Sequence, residues 1–179
     1  MSLYGLVKLY EKMAAKIDFL GWLWKRIYYQ DLVEREIEAA GISSRDQVLV
    51  IGCGSSPFTM EIIAKKTKAL VVGIDNDPRT IKPASRYLLQ RGVVSRVEHG
   101  EGINYPLEQF AVIIITLGVM HKEKIMGRVL KDMPPKTRLI CRNPAWFFER
   151  KYMPERLFLD KIGFSATKIS AHWRKSMLV

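Results

Sequence analysis

Apolar positions recur along the chain in two periods. Leu6, Leu9, Met13, Ile17 and Leu20 fall three or four residues apart and make one helical stripe. Gly21 permits a bend. Leu23, Ile27, Tyr28, Leu32, Ile37 and Ala40 then repeat the pattern up to Gly41, which suits a helix C-cap. From Gln47 onward short apolar runs take over, at Val48–Ile51, Ala69–Ile74, Val93–Val97, Phe110–Thr116 and Thr137–Cys141. Amphipathic stretches at Thr59–Lys66, Arg79–Gln90 and Lys122–Lys131 alternate with them, and Pro83 predicts a kink in the second or its true start. Alternating strand and helix predict parallel strands joined by crossovers, so an α/β sheet covered on both faces. Glu155–Ile162 reads as a last helix, and Phe164–Trp173 with Lys175–Val179 as a terminal antiparallel strand pair.

The division this implies is an N-terminal helical cap over residues 1–45 and an α/β domain over 46–179. A chain of 179 residues with 48% apolar and 26% charged positions fits one ordinary domain with a short appendage, and excludes disordered or low-complexity classes. No apolar run approaches the roughly 18–20 residues of a membrane span. Met1–Tyr10 lacks the ordered features of a secretory signal. Two cysteines, Cys53 and Cys141, give neither a zinc spacing nor a disulfide framework, so no metal site is expected and a reducing cytoplasmic location is.

Charge sharpens the picture. The net charge is +11, and residues 121–179 hold 14 basic against 5 acidic side chains, an excess of +9. The remaining 120 positions are nearly balanced. Such a localised excess points to an anionic partner, a phosphate-bearing or otherwise acidic acceptor, or equally to a solvated basic face. The aromatic N-terminal helix could lie at a membrane interface, but residues 1–45 carry only 7 basic and 6 acidic groups, which ranks a membrane surface below a soluble anionic acceptor.

Chemistry concentrates at the ends of the apolar runs. The first ends in Gly52-Cys53-Gly54-Ser55-Ser56-Pro57, where glycines allow a sharp turn and close approach of a ligand to the backbone. Asp75 closes the second, 21 residues beyond Gly54, where a carboxylate can accept hydrogen bonds from both hydroxyls of a ribose. Pro57 stands where a dinucleotide fingerprint has its third glycine and removes an N–H that a pyrophosphate would use. No Gly-Lys-Ser/Thr motif occurs either. A ligand with a ribose and no phosphate fits.

On these motifs Val48–Asn143 resembles the Rossmann-like S-adenosylmethionine-dependent methyltransferases. The resemblance implies an α/β fold with a seven-stranded, mostly parallel sheet, a terminal antiparallel hairpin and helices on both faces. It implies S-adenosylmethionine as cofactor, with Gly52, Cys53 and Gly54 beneath its methionine and sugar, Asp75 on the ribose and Asn76 beside the adenine. Glu101, next to Gly102, would meet the adenine amino group, and Thr116, Leu117 and Gly118 would face cofactor and substrate. Two positions depart from the family pattern. Val50 replaces an acid that helps hold the cofactor's amino group, and Ser56 replaces a glycine.

The loop Gly52–Thr59, the Asp75-Asn76-Asp77-Pro78 segment and Leu117–Lys124 also resemble nicotianamine synthase, an enzyme class that transfers the aminocarboxypropyl group of the same cofactor. Tyr10–Leu20 is similar to the opening segment of quinone-ring and other small-molecule methyltransferases, a segment that closes over the cofactor. His121, just past the fourth strand, is the candidate general base, since imidazole titrates near neutrality. A solvent-facing histidine at a helix start is the plain alternative. Tyr28, Arg142 and Asn143 are candidate substrate-binding residues, the last two at the carboxyl edge where open α/β sheets bind ligands. The expected activity is methyl transfer to a small-molecule or RNA acceptor. Aminocarboxypropyl transfer, and a basic nucleic-acid-binding protein with a vestigial cofactor site, are the alternatives.

Overall fold

Strands that read as unbroken apolar runs are those buried on both faces. In the computed structural model, which describes residues 29–143, 167–171 and 174–179, this holds for the centre of the sheet. The elements run α1 (Asp31–Ala40), β1 (Gln47–Ile51), α2 (Phe58–Thr67), β2 (Leu70–Asp75), α3 (Pro78–Gln90), β3 (Arg96–His99), β4 (Val112–Ile115), α4 (Lys122–Asp132), β5 (Arg138–Asn143), β6 (Thr167–Ala171) and β7 (Arg174–Leu178). They form one sheet in the order β3-β2-β1-β4-β5-β7-β6. β1 to β5 are parallel to one another. β7 runs antiparallel to both β5 and β6. Among the described residues no helix is long and apolar enough to cross a membrane.

Alternation along each strand divides the core in two. Val48, Val50, Val71, Val112, Ile114 and Ile140 pack with Val33 and Ala40 of α1, Phe58, Met60 and Ile63 of α2, and Tyr87 and Leu88 of α3. Leu49, Ile51, Val72, Ile74, Ile113, Ile115, Leu139 and Cys141 pack with Met126 and Val129 of α4 on the other face. Among the described residues three helices thus cover one face and α4 the other. All five parallel strands point their carboxyl ends to one edge, the edge at which open α/β sheets bind ligands.

Several boundaries differ from the sequence expectation. The third strand is Arg96–His99, not Val93–Val97. Val93 closes the end of α3 by donating its N–H to the Leu88 carbonyl (3.0 Å), Val94 is 93% exposed, and pairing with β2 begins only at Val72↔Arg96. Pro83 does not start its helix. Asp77 is the N-cap, accepting from the Arg79 N–H, Pro78 takes the first turn, and the helix runs on through Pro83. Arg142 and Asn143 are the last two residues of β5 and do not follow it. Of the helical stretch expected before Gly41, Asp31–Ala40 is helix, ending in Gly41 at φ +57°. Residues 1–28, with Tyr28, and Glu155–Ile162 lie outside the described residues.

Arg138 ties α1 to the sheet. Its guanidinium donates to the carbonyls of Ala40 and Gly41 and to Asp46 Oδ1 at 2.5 Å. Asp46 Oδ2 also accepts from the Ser43 N–H and hydroxyl. Burial alone would raise the Asp46 pKa, but the Ser43 donors and Arg138 outweigh it and hold the carboxyl below its ordinary value. The lowered pKa stabilises the fold above the unfolded carboxyl's value near 4, and that stabilisation is lost as pH falls through the folded value. Wild type should therefore lose denaturant resistance between about pH 5 and about pH 2 more steeply than Asp46→Asn. Equal slopes in the two proteins would refute this role.

Candidate functional site

At the carboxyl edge the chain folds back on itself. The N–H groups of Gly52 and Cys53 both donate to the Ile74 carbonyl (2.8 and 3.0 Å), which turns the loop over the end of β2. Gly52 and Gly54 adopt φ of +79° and +67°, the left-handed region that L side chains rarely occupy. At Gly52 contact as well as φ demands glycine. A Cβ there would stand 2.5 Å from Val119 Cγ2 and 2.8 Å from Thr116 Oγ1. The Thr116 hydroxyl donates to the Gly52 carbonyl at 2.8 Å, locking the end of β4 against the turn.

Asp75 holds both loops of this edge. Its Oδ2 accepts from the Gly54 N–H (2.8 Å) and its Oδ1 from the Asp77 N–H (3.0 Å). Each carboxylate oxygen can accept about two hydrogen bonds. One lone pair per oxygen therefore remains for a diol, which is the geometry a ribose needs.

These loops enclose a cavity of about 450 Å³. Gly52, Cys53 and Gly54 line it from the turn, Asp75 and Asn76 from the end of β2, and Glu101 and Gly102 from the loop after β3. Thr116, Leu117, Gly118 and His121 line it from the segment between β4 and α4. Gly102 lets the loop after β3 sit close, since a Cβ there would lie 2.8 Å from Ile51 Cγ2. Gly118 has no such constraint, with open space where its Cβ would be. His121 is exposed at the mouth and is the N-cap position of α4, at φ +52°. Cys53 and Cys141 are buried, and Cys53 lines the cavity.

Arg142 reaches the same cavity from β5, yet only 2% of it is exposed. It forms a bidentate pair with Glu36 of α1, Nε to Oε1 at 2.8 Å and Nη2 to Oε2 at 2.5 Å. Nη1 donates to the Thr59 hydroxyl oxygen at 2.7 Å. Burial lowers the Arg142 pKa, and the Glu36 carboxylate more than restores it, so the guanidinium sits above its ordinary value and stays charged. The Lys122 ammonium donates to the Arg142 carbonyl, fixing this strand end from the α4 side.

Sequence reasoning did not find Tyr29, Glu36, Thr59 or Asp77. Tyr29, Thr59 and Asp77 line the cavity, and Glu36 holds a residue that does. Asp77 had a signal, being the acid that caps α3 two residues past Asp75. Thr59 had one in its place in the first turn after the glycine loop. Asn143 is at the end of β5 and does not line the cavity.

The chain has the fold of the Rossmann-like S-adenosylmethionine-dependent methyltransferases. A putative S-adenosylmethionine-dependent methyltransferase from Methanococcus maripaludis superposes with a TM-score of 0.71 at 15% identity, covering 94% of this chain and 92% of that one. Within this class the chain is also similar to a mutant of the nicotianamine synthase MtNAS in complex with S-adenosylmethionine, with a TM-score of 0.75 at 16% identity over 98% of this chain and 70% of that one. In sequence it is 22% identical over 118 residues to L-histidine 2-aminobutanoyltransferase of Yersinia pestis. That match takes in 64% of this chain and 43% of the relative, so the chain spans less than half the length of the curated relative it matches. No protein-family model matches the chain.

Two substitutions test the site. Asp75→Ala should weaken binding of S-adenosylhomocysteine by about 1.5–3 kcal/mol in calorimetry, the size expected for hydrogen bonds to a charged group. Unchanged affinity would remove Asp75 from the site. Gly52→Ala should lower stability by about 1–2 kcal/mol through its left-handed φ alone, and should also abolish binding by displacing Thr116 and Val119. A variant that melts like wild type and binds normally would show that the turn tolerates a side chain.

Proposed function

We propose that the chain is an S-adenosylmethionine-dependent transferase that moves the cofactor's methyl group to an anionic small-molecule or RNA acceptor. The observation that carries this reading is Asp75, whose two oxygens are each half used by the backbone beside a glycine turn that lacks the third glycine of a dinucleotide loop. The cofactor would supply an electrophilic methyl on a sulfonium leaving group. The protein's own part is then to orient the acceptor in line and to take up its proton. Asp75 and the turn hold the nucleoside, with Asn76 and Glu101 toward its base. His121 at the mouth is the residue placed to accept a proton from an incoming acceptor. Exposed Lys124 beside it gives that mouth a positive charge suited to an anionic acceptor.

Aminocarboxypropyl transfer is the second reading, and particular observations favour it. The MtNAS likeness extends over 98% of the chain, and the curated relative is named for moving an aminobutanoyl group. In methyl transfer the acceptor's lone pair bonds the methyl carbon and leaves S-adenosylhomocysteine. In the alternative it bonds the γ-carbon of the amino-acid arm and leaves methylthioadenosine. We place the protein in the cytoplasm, where its two buried thiols stay reduced, and assign residues 1–45 as a cap over the 46–179 domain.

Incubating the protein with S-adenosylmethionine and candidate acceptors, then weighing the nucleoside released, separates the readings. S-adenosylhomocysteine is the expected product. Methylthioadenosine would replace the first reading by the second. Salt-sensitive RNA binding with no binding of either nucleoside would favour a nucleic-acid-binding protein without catalysis.

A further inference from the structure

The cavity carries a cation that the ribose end does not use. Arg142 has five guanidinium N–H groups, and its hydrogen bonds to Glu36 and Thr59 take three of them. Among the described residues the other two meet no acceptor. The Thr59 hydroxyl accepts from Arg142, and its own proton likewise finds no acceptor among the described residues. Both side chains are more than nine-tenths buried and both line the cavity. Donors left unpaired in so closed a place are costly unless a ligand supplies the oxygens.

We propose that Arg142 and Thr59 form the seat for the carboxylate of the cofactor's amino-acid arm, and that Glu36 is the positioning residue that aims the guanidinium. This rests on the reading of the cavity as a S-adenosylmethionine site. The placement is consistent with the strand order. Asp75 ends β2 and Arg142 lies near the end of β5, three inter-strand steps away across β1 and β4. At roughly 4.8 Å per step the two backbones are about 14 Å apart, and both side chains extend into the space between. A ligand held at Asp75 therefore has to extend along the cavity, across β1 and β4, to reach Arg142.

The residue facing this arm from β1 adds to the argument. Val50 and Arg142 lie on the same face of the sheet, the face covered by α1 and α2. Val50 lines the cavity with no charge to offer an ammonium group. The arm therefore meets an apolar surface at β1 and a fork of donors at β5, and the group that such a fork holds is a carboxylate. The ring of Tyr29, whose centroid lies 6.0 Å from the guanidinium carbon, walls the seat on the α1 side.

The test compares three nucleosides by calorimetry. S-adenosylhomocysteine has the whole arm, decarboxylated S-adenosylhomocysteine keeps only its ammonium, and methylthioadenosine has neither group. Wild type should bind the first about ten-fold or more tighter than the other two, which should bind alike, as for one charge-assisted pair. The double variant Glu36→Gln/Arg142→Gln removes both charges together and so buries no lone ion. It should lose that preference while its affinity for methylthioadenosine stays within about three-fold. Thr59→Val leaves the ion pair intact and should reduce the preference in part, which keeps the question open to experiment if the double variant does not melt cooperatively. A folded double variant that retains the preference overturns the proposal, as does a wild type that binds the decarboxylated compound as tightly as S-adenosylhomocysteine. A wild type that binds none of the three fails earlier, at the reading of the cavity itself.

Discussion

One carboxylate organises the ligand edge of this protein. Asp75 sits where β2 ends, and two backbone N–H groups from different loops converge on it. The turn after β1 could not close on it without left-handed backbone at Gly52 and Gly54, and the turn after β2 is held in register for Asp77 to cap α3. The same group that shapes these loops keeps its outer lone pairs toward the cavity. Structure and recognition thus draw on opposite sides of one side chain. A ligand diol bound there would complete an arrangement that the backbone has already half satisfied, with little reorganisation.

The cavity has a polar axis. Asp75, Asp77 and Glu101 lie at the end formed by β2, α3 and the loop after β3, while Arg142 lies at the end formed by β5. Between them the walls at Val50, Ile51 and Leu117 are apolar. Glu36 balances the charge of Arg142 and Arg79 that of Asp77. A ligand is therefore oriented along this axis by the acceptors of Asp75 and Glu101 at one end and the remaining donors of Arg142 at the other, in a partly enclosed space where hydrogen bonds count for more than on an open surface. A molecule with hydroxyl and amino donors at one end and an acid at the other has one favourable direction in it.

How much of this was legible in the sequence follows from the physics of each residue. The central strands were readable because they are buried on both faces and so appear as unbroken apolar runs. The glycine turn and Asp75 were readable because their spacing is set by one strand–helix–strand unit. The third strand begins later than its apolar run suggests because Val93 and Val94 look like strand residues, while one closes a helix and the other faces solvent. Tyr29 could not be told from Tyr28, since adjacent residues on a helix differ by about 100° and composition does not choose between them. Glu36 was hidden for a deeper reason. Its partner lies 106 residues away, and an acid within an apolar stripe looks like a solvated position until the fold brings its cation.

The pairing of Glu36 with Arg142 also bears on why α1 stays where it is. A buried ion pair is weak support for a fold, because desolvating both charges offsets most of their attraction, and apolar residues of similar volume often stabilise as well or better. Removing one member alone is another matter, since it leaves an uncompensated charge at a cost of about 3–5 kcal/mol. The helix Asp31–Ala40 is therefore locked to β5 by a contact that stability alone does not require. It also cannot drift without uncovering the cation at the cavity's end. Val33 and Ala40 also hold the helix by apolar packing. The charged pair makes the docking specific, and it does so at the point where the helix meets the site.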